Sequence, residues 1–163
     1  MAGSIIKGNQ RKSEAISGWA AAPSRGQSSE VIRDNHGNQG RGTWVYPNGQ
    51  VYEGEWKAHK REGRGIERSA NGDVYEGEYK AGKREGQGTY LCADGRIEVG
   101  FYKAGTRVGE SVLWTADGRT AIQLQDGKWV KTMSLEEAER RVERIGLPMP
   151  VRWEGKWTVG QPV

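Results

Sequence analysis

Three stretches of the chain repeat one pattern: YEGEWKAHKREGRG at residues 52–65, YEGEYKAGKREGQG at 75–88 and EVGFYKAGTRVGES at 98–111. Each stretch begins 23 residues after the one before it. The same spacing links four turn-type dipeptides, which are Asn48-Gly49, Asn71-Gly72, Asp94-Gly95 and Asp117-Gly118. Self-similarity at a fixed period of this length is typical of repeat architectures. The repeat therefore decides the fold.

Each unit contains two chain reversals. Asn-Gly and Asp-Gly between short alternating runs are strong hairpin signals, and they predict type I′ turns, which need positive φ at both central residues. A second glycine-bearing segment, such as residues 81–86, supplies the other reversal. Two reversals per unit leave strands of about seven residues. The sequence therefore predicts an antiparallel meander of roughly eight strands over residues 42–125, in which each unit contacts its neighbours.

The two faces of this sheet differ in chemistry. Side chains alternate between the faces of a strand, so Tyr52, Gly54 and Trp56 share one face and Glu53 and Glu55 share the other. A glycine inside a strand often marks the close approach of another group. Because this glycine recurs between two aromatic residues, we expect a neighbouring ring to lie over it. The pattern predicts a single-layer sheet with one aromatic face and one charged face.

The unit YEGEW/Y-x-x-G-K-x-x-G-x-G resembles the MORN repeat (membrane occupation and recognition nexus). The match is close in the units that begin at Tyr52 and Tyr75 and partial in the unit at Glu98. A half-unit precedes them from Gly40, and residues 153–160 resemble the first strand of a further unit. The resemblance covers residues 37–128 and implies an all-β, elongated antiparallel β-meander. It also implies protein interaction, dimerisation and membrane-associated or cortical assemblies.

The composition supports a folded chain without an ordinary aliphatic core. Leu, Ile, Val and Phe supply only 26 of 163 residues, but the chain has seven Trp, six Tyr and 25 Gly, and its net charge is only +4. Disordered chains are poor in aromatic residues, so the composition argues against disorder of the whole chain. Cys92 is the only cysteine, which rules out an internal disulfide and a cysteine-built metal site. We expect a cytoplasmic protein, placed at a membrane or cortical assembly if the family resemblance holds for its location.

The chain divides into three parts. Residues 1–36 have no repeat and are expected to form a flexible tail, residues 37–128 form the meander, and residues 129–163 form a cap of helix and strand. Ser134-Leu135-Glu136-Glu137 is a capping box at the start of a helical run, and Gly146 followed by Leu147 predicts its end. We expect this short helix to cover the last strand edge or the end of the aromatic face.

No motif in the sequence indicates catalysis. The chain contains no nucleophile elbow, phosphate-binding loop or zinc-protease motif, and His59 falls in a chain reversal, where histidine tolerates positive φ. The glutamates on the charged face are expected to pair with Lys and Arg of neighbouring strands. We therefore predict a protein that is not an enzyme and needs no metal or cofactor.

The sequence favours a non-catalytic scaffold that holds a protein segment, or a second copy of itself, through an aromatic groove or a sheet edge. Aromatic residues are favoured anchors at interfaces. The candidate groove residues are Tyr52, Trp56, Tyr75, Tyr79, Tyr102 and Trp114. The competing interpretation is that these rings are simply the packing of the fold.

Two other functions stay open. Basic residues recur along one rim of the meander, where they could meet anionic phospholipid headgroups; they are Lys57, Lys60, Arg61, Lys80, Lys83, Arg84, Lys103 and Arg107. Residues 37–128 carry 14 basic and 13 acidic residues, and this balance argues against a strong membrane surface and against specific nucleic-acid binding. Glycan binding by stacking on the rings is the third function.

Overall fold

One antiparallel sheet dominates the structure. The computed structural model describes residues 32–33 and 39–159; most of the predicted tail lies outside them. Ten strands follow each other in chain order, each paired with the next. They are β1 (Ile32–Arg33), β2 (Gln39–Val45), β3 (Val51–Lys57), β4 (Lys60–Arg68), β5 (Val74–Lys80), β6 (Lys83–Leu91), β7 (Ile97–Lys103), β8 (Thr106–Trp114), β9 (Ala121–Gln125) and β10 (Lys128–Met133). The predicted all-β meander is confirmed, and its sheet extends beyond residue 128.

The two reversals of each unit use different turns, and the two-residue turn with positive φ at both positions is not the predicted one. Two-residue turns with positive φ at both positions join β3 to β4, β5 to β6 and β7 to β8; at the second, φ is 50° for Ala81 and 87° for Gly82. His59 has φ of 61° in the first of these turns, as expected. The Asn-Gly dipeptides instead lie in five-residue connections between strands, such as residues 46–50, in which Gly49 N–H donates to the Tyr46 carbonyl at 2.9 Å. The type I′ prediction for Asn-Gly is therefore wrong, because only the glycine of that pair has positive φ.

Strand length also differs between the two halves of a unit. β3, β5 and β7 have seven residues, as predicted, whereas β4, β6 and β8 have nine. The extra residues come from the segment after each two-residue turn, which the sequence pattern had suggested was a loop. As a result, Arg61, Arg84 and Arg107 each lie inside a strand, at its second position.

Tyrosine rings cover the strand glycines, as predicted. Gly54 pairs with Gly65 across β3 and β4, and Gly77 pairs with Gly88 across β5 and β6. A Cβ atom at Gly54 would lie 2.5 Å from the Tyr52 hydroxyl oxygen. We call this side of the sheet the tyrosine face. Its glycines are required because a ring occupies the space that any side chain would need.

Helix α1 (Leu135–Ile145) begins and ends as the sequence predicts. The Ser134 side chain accepts a hydrogen bond from Glu137 N–H at 3.2 Å. At the other end Gly146 has φ of 74°, and Leu147 N–H donates to the Val142 carbonyl at 3.0 Å. This is a Schellman motif. Val142 and Leu147 are both buried and belong to the same hydrophobic cluster.

The helix packs on the side opposite the tyrosine face, which we call the helix face. Its buried residues Ala138 and Val142 join a cluster formed by β7, β8 and β9, with Ile97, Val99, Val112, Trp114 and Ala121. The expectation that the helix covers the last edge or the aromatic face is therefore wrong. The reason lies in the repeat: Val99 and Phe101 stand where the earlier units have Glu53, Glu55, Glu76 and Glu78, so the charged side becomes apolar there.

A small hairpin follows the helix. Its strands are β11 (Val151–Trp153) and β12 (Lys156–Thr158). Glu154 and Gly155 form the turn between them, both with positive φ. Residues 153–160 therefore do not form the first strand of another unit. Trp157 anchors the hairpin because its indole N–H donates to the Thr115 carbonyl at 2.8 Å and its ring centroid lies 6.0 Å from that of Trp114.

Candidate functional site

The rings predicted to line a groove are mostly interior. Tyr52, Tyr75, Tyr79 and Tyr102 are 0 to 4% exposed, and they pack edge to face with centroids 5.0 to 5.5 Å apart. Trp114 is also buried, but on the helix face. These five rings leave no surface for a partner or a glycan, because they fill the space over the glycines and under the helix. Trp56 alone among the predicted groove residues is partly exposed.

Arginines close the outer side of this ring stack. The Arg61 guanidinium lies 4.9 Å from the Tyr79 ring centroid, and that of Arg84 lies 4.3 Å from the Tyr75 centroid. Both arginines form ion pairs with Glu67, which is only 6% exposed, and the Tyr79 hydroxyl donates to the same carboxylate at 3.2 Å. Arg61 and Arg84 therefore stabilise the tyrosine face and are not free for lipid.

The third unit keeps a smaller version of this network. Glu98 takes the position of the unit's first tyrosine, and it accepts a hydrogen bond from the Ser111 hydroxyl at 2.9 Å. The Arg107 Nε lies 3.0 Å from Glu98 Oε2, and the guanidinium lies 5.1 Å from the Tyr90 ring centroid. Arg107 is thus a third predicted lipid contact that the structure uses internally. All three arginines turn inward because the nine-residue strands place them on the tyrosine face.

Burial also sets the ionisation of the phenols. It raises the pKa of Tyr52, Tyr75 and Tyr79 well above the ordinary value, with neighbouring arginine charge opposing the effect only in part. Burial, together with a hydrogen bond to Asp73, raises the pKa of Tyr90 to about 12. That hydrogen bond, 2.7 Å long, in turn lowers the pKa of Asp73. The phenols are therefore neutral packing groups near neutral pH.

The lysines of the predicted lipid set remain on the surface. All are exposed residues at the tips of three successive hairpins; they are Lys57, Lys60, Lys80, Lys83 and Lys103. Carboxylates share this rim. Glu62 accepts from Ala81 N–H and Glu85 accepts from Ala104 N–H, each at 2.9 Å. The rim is therefore basic at its tips, with bound glutamates between neighbouring hairpins.

An open cleft of about 580 Å³ lies on the helix face, where the sheet is not covered by α1. One side is the charged surface of β3 to β6, including Glu53, Ile66 and Glu76. The other side is the segment after the helix, including Met149 and Val151. The cleft thus combines charged groups on a rigid sheet with an apolar wall.

The helix fixes this wall in place. Gln87 Nε2 on β6 donates to the Gly146 carbonyl at 3.1 Å, just before the wall begins. Arg141 forms an ion pair with Glu110 on β8, and Arg144 lies 3.5 Å from the same carboxylate. The wall is therefore tied to the sheet at both the helix and the turn that follows it.

Sequence reasoning missed the cleft, although one signal points to it. The change from glutamate to Val99 and Phe101 marks where the helix must pack, so the equivalent glutamates of the earlier units stay uncovered.

Among the described residues, no group of three or more His, Cys, Asp or Glu side chains is placed to hold a metal ion. Nor is any helix of the described part long and apolar enough to cross a membrane.

Comparison with known proteins identifies the repeats. The family model described as the MORN repeat matches residues 35–51, 52–74 and 75–95. No curated protein matches the chain. MORN repeats are in general modules for protein interaction or membrane binding. The last of these matches ends in the turn after β6, so this chain contains three consecutive MORN repeats in residues 35–95.

Proposed function

We propose that this chain is a non-catalytic scaffold that holds a short protein segment in the cleft on its helix face. The observation that carries the proposal is the open cleft of about 580 Å³ itself. A concave site with an apolar lining and a few polar groups is the usual form of a binding site. The proposal moves the binding surface from the tyrosine face, which is filled by its own rings, to the opposite side of the sheet.

The apolar wall supports this role. Met149 and Val151 are each 42% exposed although they are large apolar side chains. Exposed apolar surface that is rimmed by polar residues commonly marks an interaction site. A bound segment would cover both side chains and would contact the sheet on its other side.

The test is affinity capture with the full chain and with the variant Met149→Ser/Val151→Ser. Proteins recovered by the wild type and lost with the variant support the proposal, provided that they bind directly when purified. The matched control is Val130→Ser, because Val130 on β10 is also 42% exposed but lies away from the cleft. Equal recovery by all three proteins contradicts the proposal.

A second candidate function is peripheral binding to anionic phospholipids. It is favoured by the row of five exposed lysines at the tips of three hairpins, which places their ammonium groups along one rim of a rigid sheet. Each lysine near an anionic surface contributes about 1 kcal/mol at most, and the effect declines with salt. The glutamates Glu62 and Glu85 on the same rim reduce it.

Sedimentation with phosphatidylserine vesicles tests this candidate. We expect binding at low salt that falls in Lys80→Gln/Lys83→Gln and at high salt. The control is Arg96→Gln/Arg119→Gln, which removes the same charge from the opposite rim. Binding that is absent at low salt, or that the control lowers as much, contradicts lipid contact through the lysine tips.

A further inference from the structure

A row of side chains without a cation crosses the cleft. Ile66 on β4 lies directly opposite Glu53 on β3 and Glu76 on β5. Since neighbouring strands are about 4.8 Å apart, the two glutamates stand about 10 Å from each other with the isoleucine between them. Within the described part of the chain, neither carboxylate has a hydrogen bond or ion pair.

The next row of the same face differs. Arg41 lies opposite Glu55, and Arg64 lies opposite Glu78. Charges of opposite sign therefore face each other in this row. The Glu53–Ile66–Glu76 row has no cation within it, contrary to the predicted pairing of these glutamates across strands, and Arg68 follows Ile66 in the row on its other side.

Resting on the proposed function, we infer that the partner segment held in the cleft is basic and apolar. A Lys or Arg of the partner lies over Ile66, with its charged head between the carboxylates of Glu53 and Glu76. Apolar side chains next to it contact Met149 and Val151 on the opposite wall.

Three features of the cleft match this chemistry. The long stem of Lys or Arg covers apolar surface while its head reaches polar groups, and Ile66 provides that surface. Two carboxylates on either side stabilise a cation and disfavour an acidic segment, so they select by charge. Met149 and Val151 on the exposed wall can contact apolar residues of the partner. A purely basic segment would leave these two side chains without an apolar contact.

The probes are two short synthetic peptides, one alternating Lys and Val and the other alternating Glu and Val. We expect the full chain to bind the Lys/Val peptide in titration calorimetry and to bind the Glu/Val peptide much more weakly. Glu53→Gln/Glu76→Gln should weaken binding of the Lys/Val peptide about fivefold, because two exposed ion pairs at about 0.5 kcal/mol each contribute about 1 kcal/mol together. The matched control is Glu139→Gln/Glu143→Gln on exposed helix positions, which should leave binding unchanged.

The outcomes separate this inference from the proposed function. If both peptides bind alike, and Met149→Ser/Val151→Ser weakens both while Glu53→Gln/Glu76→Gln weakens neither, the cleft still binds segments but the basic character is overturned. If Met149→Ser/Val151→Ser also has no effect on a peptide that binds, the proposed function of the cleft is overturned as well. Circular dichroism of each variant shows whether the fold is retained.

Two other occupants give distinct results. If the charge reversal Lys7→Glu/Arg11→Glu/Lys12→Glu makes the Lys/Val peptide bind at least tenfold tighter, the chain's own N-terminal segment occupies the cleft and the partner assignment is overturned. A dimer in light scattering that dissociates in Glu53→Gln/Glu76→Gln would assign the cleft to a second copy. A monomer in both proteins supports a separate partner.

Discussion

The strands β3 to β6 and the strands β7 to β9 share one repeat but are stabilised by different cores. In the first region the core lies on the tyrosine face, where rings pack over glycines and arginines close the outside. In the second the main core lies on the helix face, where Ile97, Val99 and Trp114 pack against α1. The backbone register is the same in both.

The difference shows that this backbone can be stabilised from either side. Val99 replaces the glutamate of the earlier units, and Glu98 replaces their tyrosine. One side therefore gains apolar surface as the other loses a ring. The uncovered stretch on the helix face of β3 to β6 is the direct result, and the cleft forms at the boundary between the two regions.

The largest expected effect is loss of the first region in alkali. Tyrosine ionises near pH 10 in the unfolded chain, whereas the buried rings have a raised pKa in the folded one. Their contribution is therefore complete below pH 10 and is lost as the pH rises above it, by about 1.4 kcal/mol per ring for each pH unit. We expect phenol ionisation and loss of β circular dichroism to occur together between about pH 10 and 12.

The variant Tyr75→Phe sharpens this measurement. It keeps the ring over Gly77 and Gly88 but removes one ionisable group. The hydroxyl that is lost makes only one hydrogen bond, which it donates to the Glu78 carbonyl at 3.3 Å. Its alkaline midpoint should be higher than that of the wild type. Phenols that ionise near pH 10 without a change in circular dichroism would contradict buried, neutral rings.

Trp114→Ala should have the next largest effect, and it acts on the second region. The ring is 1% exposed and joins the helix-face cluster to Trp157. Its removal should lower the free energy of unfolding by about 4 kcal/mol, measured by urea denaturation. The exposed Trp129, at 65%, provides the control, since Trp129→Ala should change stability by less than about 0.5 kcal/mol.

Gly88→Ala tests the first region by adding atoms. A Cβ atom there would lie 2.5 Å from the Tyr75 hydroxyl oxygen and 2.7 Å from the ring carbon that bears it. The ring cannot move because Tyr79 and Tyr102 enclose it, so we expect a loss of about 3 kcal/mol. Gly82→Ala is the comparison: its added Cβ meets nothing within 4 Å, and only the positive φ should cost about 1 kcal/mol. Equal losses would mean that ring contact is not what requires Gly88.

The smallest effect distinguishes the two networks of buried charge. Glu67→Gln removes the charge that pairs with two partly exposed arginines, so we expect a loss of about 2 kcal/mol. Glu98→Gln affects one arginine, Arg107, which is 38% exposed at its side chain, and should cost about 1 kcal/mol. Urea denaturation at neutral pH measures both. A larger loss in Glu98→Gln would reverse the ranking of the two regions.

Much of the fold follows from the sequence by local rules. The 23-residue period, the ring over the strand glycine and both helix caps at Ser134 and Gly146 need only neighbouring residues to be recognised. The sequence indicates the type I′ turn at Asn-Gly and not at Ala81-Gly82, because a positive φ is unusual for alanine, while Asn-Gly is compatible with more than one loop. The nine-residue strands follow from the two-residue turns, because pairing begins directly beside the turn, at Lys57 and Lys60 in the first unit.

The candidate site was less predictable for the same reason. Arg61 and Lys60 are adjacent and both basic, yet Arg61 packs on the tyrosine rings and Lys60 lies in solvent, because successive side chains of β4 alternate between its two faces. The cleft needs the helix to be placed on one face, and that placement depends on Val99 and Phe101 together with the helix stripe. These are contacts between distant parts of the chain, which the pattern of one repeat does not contain.

The hairpin tips on the lysine rim have one more consequence. Gly82 N–H donates to the Arg61 carbonyl and Gly105 N–H to the Arg84 carbonyl, each at 2.9 Å, so every tip is bonded to the preceding one in a constant way. Each unit therefore adds a fixed step of two strand spacings, about 10 Å. The length of the sheet therefore depends on the number of units. One more unit of 23 residues would move the helix-covered end one step further from β2, while the lysine tips stay in line.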